Sequence, residues 1–85
     1  AFLFQNSPNP FRGSTRISFE LAGPSEVQLS LFDVHGRLIR NLANGPREAG
    51  LHETVLDGRT LAPGVYWYRL EADGAETVRR SLVVR

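Results

Sequence analysis

Thr15-Arg16-Ile17-Ser18-Phe19-Glu20-Leu21 alternates apolar and polar side chains: Ile17, Phe19 and Leu21 fall on one side, Arg16, Ser18 and Glu20 on the other. Successive side chains of a strand point to opposite faces, so this segment reads as a half-buried β-strand, one face on a core and one in water. A helix would need apolar residues at three- and four-residue steps, and no stretch of helical length shows them.

The same period returns further along the chain. After Gly23-Pro24, Val27, Leu29 and Leu31 alternate with Gln28, Ser30 and Phe32. Asp33-Val34-His35-Gly36 supplies a turn in which Gly36 can take a positive φ, so Arg37 to Leu42 reads as the returning arm of a hairpin. Ala43 to Gly50, with its glycines and Pro46, reads as a loop before a fifth strand at Leu51 to Leu56. Asp57 to Gly64 is again rich in turn formers. It leads into Val65-Tyr66-Trp67-Tyr68-Arg69-Leu70, the segment of strongest β-propensity and the expected central strand. Asp73-Gly74 predicts a type I′ hairpin, after which Val78, Leu82 and Val84 form the apolar side of a last strand. A short first strand near Phe2 to Phe4 brings the total to about seven, the number and spacing of an all-β antiparallel sandwich. The predicted core is Ile17, Phe19, Leu21, Val27, Leu29, Leu31, Tyr66, Tyr68 and Leu70.

The 85 residues have room for one small domain, spanning 1–85, and for a core, but not for a deep enclosed active site. Ten arginines, with no lysine, oppose nine acidic residues, for a net charge of +1. Charges so balanced and scattered are a poor footprint for nucleic acid or anionic lipid. Cysteine is absent, which removes disulfides, thiolate metal sites and a cysteine nucleophile. No run approaches a membrane span, and Ala1 to Phe4 is too short for the core of a signal peptide. A chain without methionine predicts either a removed start residue or a piece cut from a longer precursor.

Catalysis would need a nucleophile with a base, or two carboxylates held together, and neither pattern is present, so no enzyme activity and no cofactor are expected. His35 and His52 read as surface residues at a turn and a strand edge. With Asp33 and Asp57 they offer a conceivable metal set, but without ligand spacing. On strand geometry Tyr66, Tyr68 and Leu70 share one face and Trp67 takes the other with Val65 and Arg69. Core packing is the preferred reading of these aromatics over a sugar- or base-stacking platform. Arg37, Arg40, Arg69, Arg79 and Arg80 read as solvated or edge-guarding residues, a basic strip being the alternative.

Particular residues add more than the pattern does. Gln5-Asn6-Ser7-Pro8-Asn9-Pro10-Phe11, then Thr15-x-Ile17-x-Phe19-x-Leu21, then Val27-x-Leu29-x-Leu31-x-Asp33-x-x-Gly36-Arg37 occur in that order. Ala49-Gly50-x-His52, Asp57, Leu61-Ala62-Pro63-Gly64-Val65-Tyr66-Trp67-Tyr68-Arg69-Leu70 and Leu82-Val83-Val84-Arg85 follow. Weak singly and specific jointly, these motifs resemble, from end to end, the type A C-terminal sorting domains of the bacterial type IX secretion system. The resemblance implies a seven-stranded immunoglobulin-like sandwich. It implies a non-catalytic module that directs an N-terminal cargo through the periplasm of a Gram-negative bacterium and an outer-membrane translocon, to be secreted or held at the cell surface. A sortase-like peptidase is the further partner implied; nucleic acid binding and membrane insertion are not.

Chain geometry and resemblance together single out Pro8, Asn9, Pro10, Gly36, Arg37, Gly64, Tyr66, Arg79, Arg80 and Arg85 as candidate sorting residues. Pro8-Asn9-Pro10 is expected to hold Ser7 and Asn9 extended, as a preformed lead into the first long strand. Ser7 stands where the family often has an aromatic residue, and Arg79 and Arg80 replace its usual lysines. A related immunoglobulin-like module, similar to that of the flagellar hook-capping protein, shares the Asp33-x-x-Gly36-Arg37 hairpin and Gly64-x-Tyr66-x-Tyr68. That relative usually has a Trp-Asp-Gly and a longer following loop where this chain has Leu56-Asp57-Gly58. A third reading, of another class, is a surface adhesion or fibre-forming subunit that self-associates through its strand edges.

Overall fold

The computed structural model describes residues 1–84. Its strands are β1 (Phe2–Leu3), β2 (Ser14–Leu21), β3 (Ser25–Phe32), β4 (Leu38–Arg47), β5 (Gly50–Asp57), β6 (Gly64–Ala72) and β7 (Ala75–Val83), with a single 3-10 turn at Gly58–Thr60. They form two antiparallel sheets, ordered β1-β2-β5 and β4-β3-β6-β7. This is the all-β, seven-stranded sandwich the spacing predicts, and an immunoglobulin-like fold is consistent with it.

The period-two pattern lands as expected. Ile17, Phe19 and Leu21 of β2 are buried against Val27, Leu29 and Leu31 of β3 and Tyr66, Tyr68 and Leu70 of β6, all in one apolar cluster. Leu3, Phe11, Leu56, Leu61, Ala72 and Val83 complete it. Asp73 and Gly74 both have positive φ, 54° and 73°, the backbone of a type I′ turn. β6 lies between β3 and β7, the central place its composition predicts.

Two expectations are corrected. The segment from Ala43 to Arg47 is not a loop: β4 continues through it, with Asn44, Gly45 and Pro46 in register with Gln28, Val27 and Glu26. β4 is an edge strand, so a proline there need not break a ladder if its missing N–H faces away from β3. The second correction is the facing of β7. Val78 and Leu82 are exposed, while Ser81 and Val83 are buried. The two-residue turn decides this, because it pairs Ala72 with Ala75 and so sets Leu70 opposite Thr77, Tyr68 opposite Arg79 and Tyr66 opposite Ser81. Residues opposite one another share a face, so the odd positions of β7 turn inward with the tyrosines.

Candidate functional site

The described part of the candidate set divides between the two sides of the first half of β6, which pairs with β7 on one side and β3 on the other. The larger group gathers where residues 5–11 lie along β7. Here the chain bends at Pro8, Asn9 and Pro10 instead of running straight into β2, with the Ser7-Pro8 and Asn9-Pro10 peptide bonds cis. Ser7 pairs with Arg16 of β2 by mutual backbone hydrogen bonds of 3.0 Å. Phe11 then reaches the opposite sheet, bridging in parallel to Val83.

A buried polar network fixes the bend. Asn6, nearly inaccessible, donates its backbone N–H to Tyr68 Oη at 2.7 Å, and Tyr68 Oη donates to the Phe4 carbonyl at 2.9 Å. The Asn6 side-chain amide donates to Thr15 Oγ1 at 3.0 Å and to the Pro8 carbonyl at 3.2 Å, and Thr15 Oγ1 donates to that same carbonyl at 2.8 Å. Buried polar groups are tolerated when each finds a partner, and here each supports the next. Burial of Tyr68 pushes its phenol pKa up to about 12, against the opposing influence of the Asn6 N–H and the Arg79 charge.

Held in this way, residues 5–11 close the outer edge of β7. Gln5 Nε2 donates to the Arg80 carbonyl at 2.7 Å. The Leu82 N–H donates to Asn9 Oδ1 at 3.0 Å, the Phe11 N–H to the Leu82 carbonyl at 3.0 Å, and the Val84 N–H to the Phe11 carbonyl at 2.9 Å. The Phe11 ring anchors this clasp in the core, close enough to Gly58 that a Cβ there would lie 2.5 Å from Phe11 Cε2. Arg79, turned inward, donates from Nε to the Leu3 carbonyl at 3.0 Å and places its guanidinium 5.9 Å from the Phe2 ring centre. Arg80 points outward, 5.9 Å from the Trp67 ring centre. Asn9, Pro10 and Arg80 line one shallow depression with Val65, Ser81 and Leu82.

The smaller group lies on the β3 side, at the turn that follows Phe32, the partner of Trp67. Asp33 Oδ1 accepts the N–H groups of His35 at 2.9 Å and Arg37 at 3.0 Å, and its Oδ2 forms an ion pair with the Arg37 guanidinium at 3.0 Å. The Arg37 N–H, more than any other contact, holds the Asp33 carboxyl below the usual carboxylate range. Gly36 closes the turn at φ 78°. Arg37 shares an open cleft with Gly64 and Tyr66, whose hydroxyl donates to the Ala62 carbonyl at 2.7 Å. Gly64, at φ 144°, opens β6 opposite Val83. Arg85 lies outside the described residues.

The aromatic run divides as predicted: Tyr66 and Tyr68 enter the core and Trp67 stands 39% exposed on the outer face. The five arginines do not make a basic strip. Arg37 is paired with Asp33 and Arg69 with Glu71, Arg40 donates to Thr60, and Arg79 points inward. Among the described residues no three of His, Asp and Glu gather as a metal set. Asp57 is committed to Arg59, whose guanidinium and backbone N–H draw its carboxyl pKa down to about 2. Sequence reasoning used Gln5, Asn6, Phe11 and Thr15 only as carriers of the resemblance and gave them no place among the candidate site residues. The one available signal was their flanking of Pro8-Asn9-Pro10.

A family model described as a secretion system C-terminal sorting domain matches residues 7–85, from Ser7 within the clasp to the last residue. No curated protein matches the chain. With the sandwich agreeing in fold and the match covering nearly its whole length, the chain belongs to the secretion system C-terminal sorting domains of type IX secretion.

Proposed function

We propose that residues 1–85 form a non-catalytic sorting module that directs an N-terminal cargo across the outer membrane to the cell surface, with the clasp of residues 5–11 on β7 as the feature the secretion machinery reads. The observation that carries this reading is the set of hydrogen bonds between Gln5, Asn9 and Phe11 on one side and Arg80, Leu82 and Val84 on the other. A signal at the end of a chain would ordinarily fray, since terminal residues are poorly ordered unless tied down. Here the last strand is tied on both edges, so Pro8, Asn9, Pro10 and Arg80 stand in fixed relation as one surface. The translocon is the partner this surface serves. A sortase-like peptidase that separates cargo from module would act afterwards, on chain N-terminal to the clasp.

The test is export of a reporter fused ahead of residues 1–85 in a bacterium with a type IX system. Display of the intact fusion, lost on deletion of Leu82 to Arg85 or on replacement of Asn9 by Ala in a variant that still folds, is the expected result. Retention of the intact fusion in the periplasm would overturn the sorting role. Normal display of the folded variants would remove the clasp from it.

A further inference from the structure

The sandwich protects three of its strand edges and leaves one open. β7 is covered by the clasp, and β1 is tied to β7 through the Arg79 bond to the Leu3 carbonyl. β4 carries Pro46 and two shifts of register against β3, devices that spoil an edge for further pairing. β5 has none of these. Its residues pair with β2 in unbroken register from Gly50 to Asp57, with no proline and no basic side chain other than the imidazole of His52.

The alternation of an antiparallel ladder shows which groups β5 offers. Arg16 and Ser18 of β2 direct their backbone bonds to Ser7 and Phe4. Ile17, Phe19 and Leu21 therefore face β5 and engage Thr54, His52 and Gly50. Leu51, Glu53 and Val55 are left with N–H and C=O aimed at the open edge, and no backbone bond reaches them among the described residues. The same residues carry the exposed side chains: Leu51 at 66% and Val55 at 60% are the most solvent-exposed large hydrophobics described. Glu53 lies between them with the neutral Ser18 as its partner across the ladder and no ion pair among the described residues.

We infer that β5 is a docking edge for an extended segment of another protein, which adds antiparallel as a fourth strand and sets a basic side chain against Glu53 and apolar ones against Leu51 and Val55. Main-chain bonds supply affinity in strand addition, and alternate side chains supply selection. Glu53 also excludes the occupant that would otherwise fit, a second copy. A two-fold pairing of β5 with itself that matches Leu51 to Val55 sets Glu53 against Glu53, and the neighbouring register sets Leu51 against Glu53. Like charges directly opposite are destabilising. Such an edge would take this partner whatever the domain's role in export, so peptide binding and not export is the readout.

The probe is a capped synthetic peptide as long as β5, with valine, arginine and valine at alternate positions separated by threonine. It is titrated into the 85-residue chain while amide exchange is followed residue by residue. Protection of the Leu51, Glu53 and Val55 amides is expected, with those of β4 unchanged. Glu53→Arg, an exposed change whose fold is checked by its melting temperature, should weaken binding by about fivefold to tenfold, and a peptide with glutamate in place of arginine should restore it. Protection on β4 or β7 instead, no binding at millimolar peptide, or protection of the same amides by a dimer without peptide would each overturn the inference.

Discussion

The backbone N–H of Leu82 and the side chain of Asn9 meet at 3.0 Å although 73 positions separate them in sequence. This single bond joins the Pro8-Asn9-Pro10 bend to the last strand, and its removal has a local signature. Asn9→Ala returns the Leu82 N–H to solvent, which should cost about 0.5–1.5 kcal/mol. Faster hydrogen exchange at Leu82 than in the parent, with the β2 amides unchanged, is the measurement; equal loss of protection everywhere would mean the clasp has no local role.

Phe19 is 1% exposed and stacks on His52 with ring centres 5.4 Å apart. Phe19→Ala should cost ~3–5 kcal/mol, out of a total stability of about 4–13 kcal/mol for a domain of this length. Urea unfolding should show a midpoint far below that of the parent.

Gly58→Ala would force its methyl into the Phe11 ring and to 3.2 Å from the Gly13 carbonyl. Overpacking of this kind should lower stability by about 1–3 kcal/mol. Phe11→Leu in the same chain should recover some of the loss, and failure of the double variant to improve on Gly58→Ala would place the strain elsewhere.

Ser81 faces the core at 1% exposure and its hydroxyl has no hydrogen-bond partner among the described residues. A buried hydroxyl without a partner is a cost, so Ser81→Ala should raise stability by about 1 kcal/mol. A fall in melting temperature would show that the hydroxyl is satisfied in solution.

Tyr68 and Asp57 bound the pH range of stability from opposite sides. The Tyr68 phenol is raised from 10.0 to about 12 by burial. A buried neutral phenol resists ionisation that the unfolded chain permits, so its contribution is complete below pH 10 and is lost as pH climbs towards 12. The Asp57 carboxyl is lowered from 3.8 to about 2, chiefly by the Arg59 side chain; its contribution is present above pH 3.8 and is lost as pH falls to about 2. Melting temperatures across both windows should bend in these directions, with Asp57→Asn flattening the acid limb.

The core could be read from sequence wherever one residue in two is apolar. Ile17, Phe19 and Leu21 declare their own facing, and Tyr66, Tyr68 and Leu70 do the same. β7 does not, because Val78, Leu82, Val83 and Val84 put apolar groups on both sides, and only the register of the Asp73-Gly74 turn shows that Ser81 goes in and Leu82 stays out. The first half of β4 was read as the returning arm of a hairpin, but its second half was hidden by Gly45 and Pro46, which mark a loop in isolation and are tolerated on an edge. Of the candidate site, the prolines that shape the segment at Pro8, Asn9 and Pro10 stood out in the sequence, but they read as an extended lead and not as the bend they form. Their partners were not legible, since contacts such as Gln5 with Arg80 span nearly the whole chain and leave no local pattern.

The parallel bridge between Phe11 and Val83 also governs how the domain answers mechanical force. Tension that draws residues 5–11 and the end of β7 in opposite directions runs along both segments, so it loads the Phe11–Leu82, Val84–Phe11 and Leu82–Asn9 bonds together in shear. Antiparallel neighbours pulled from adjacent ends would instead unzip, their bonds breaking in succession. A pull applied at these two points must therefore break the three bonds together and not one after another.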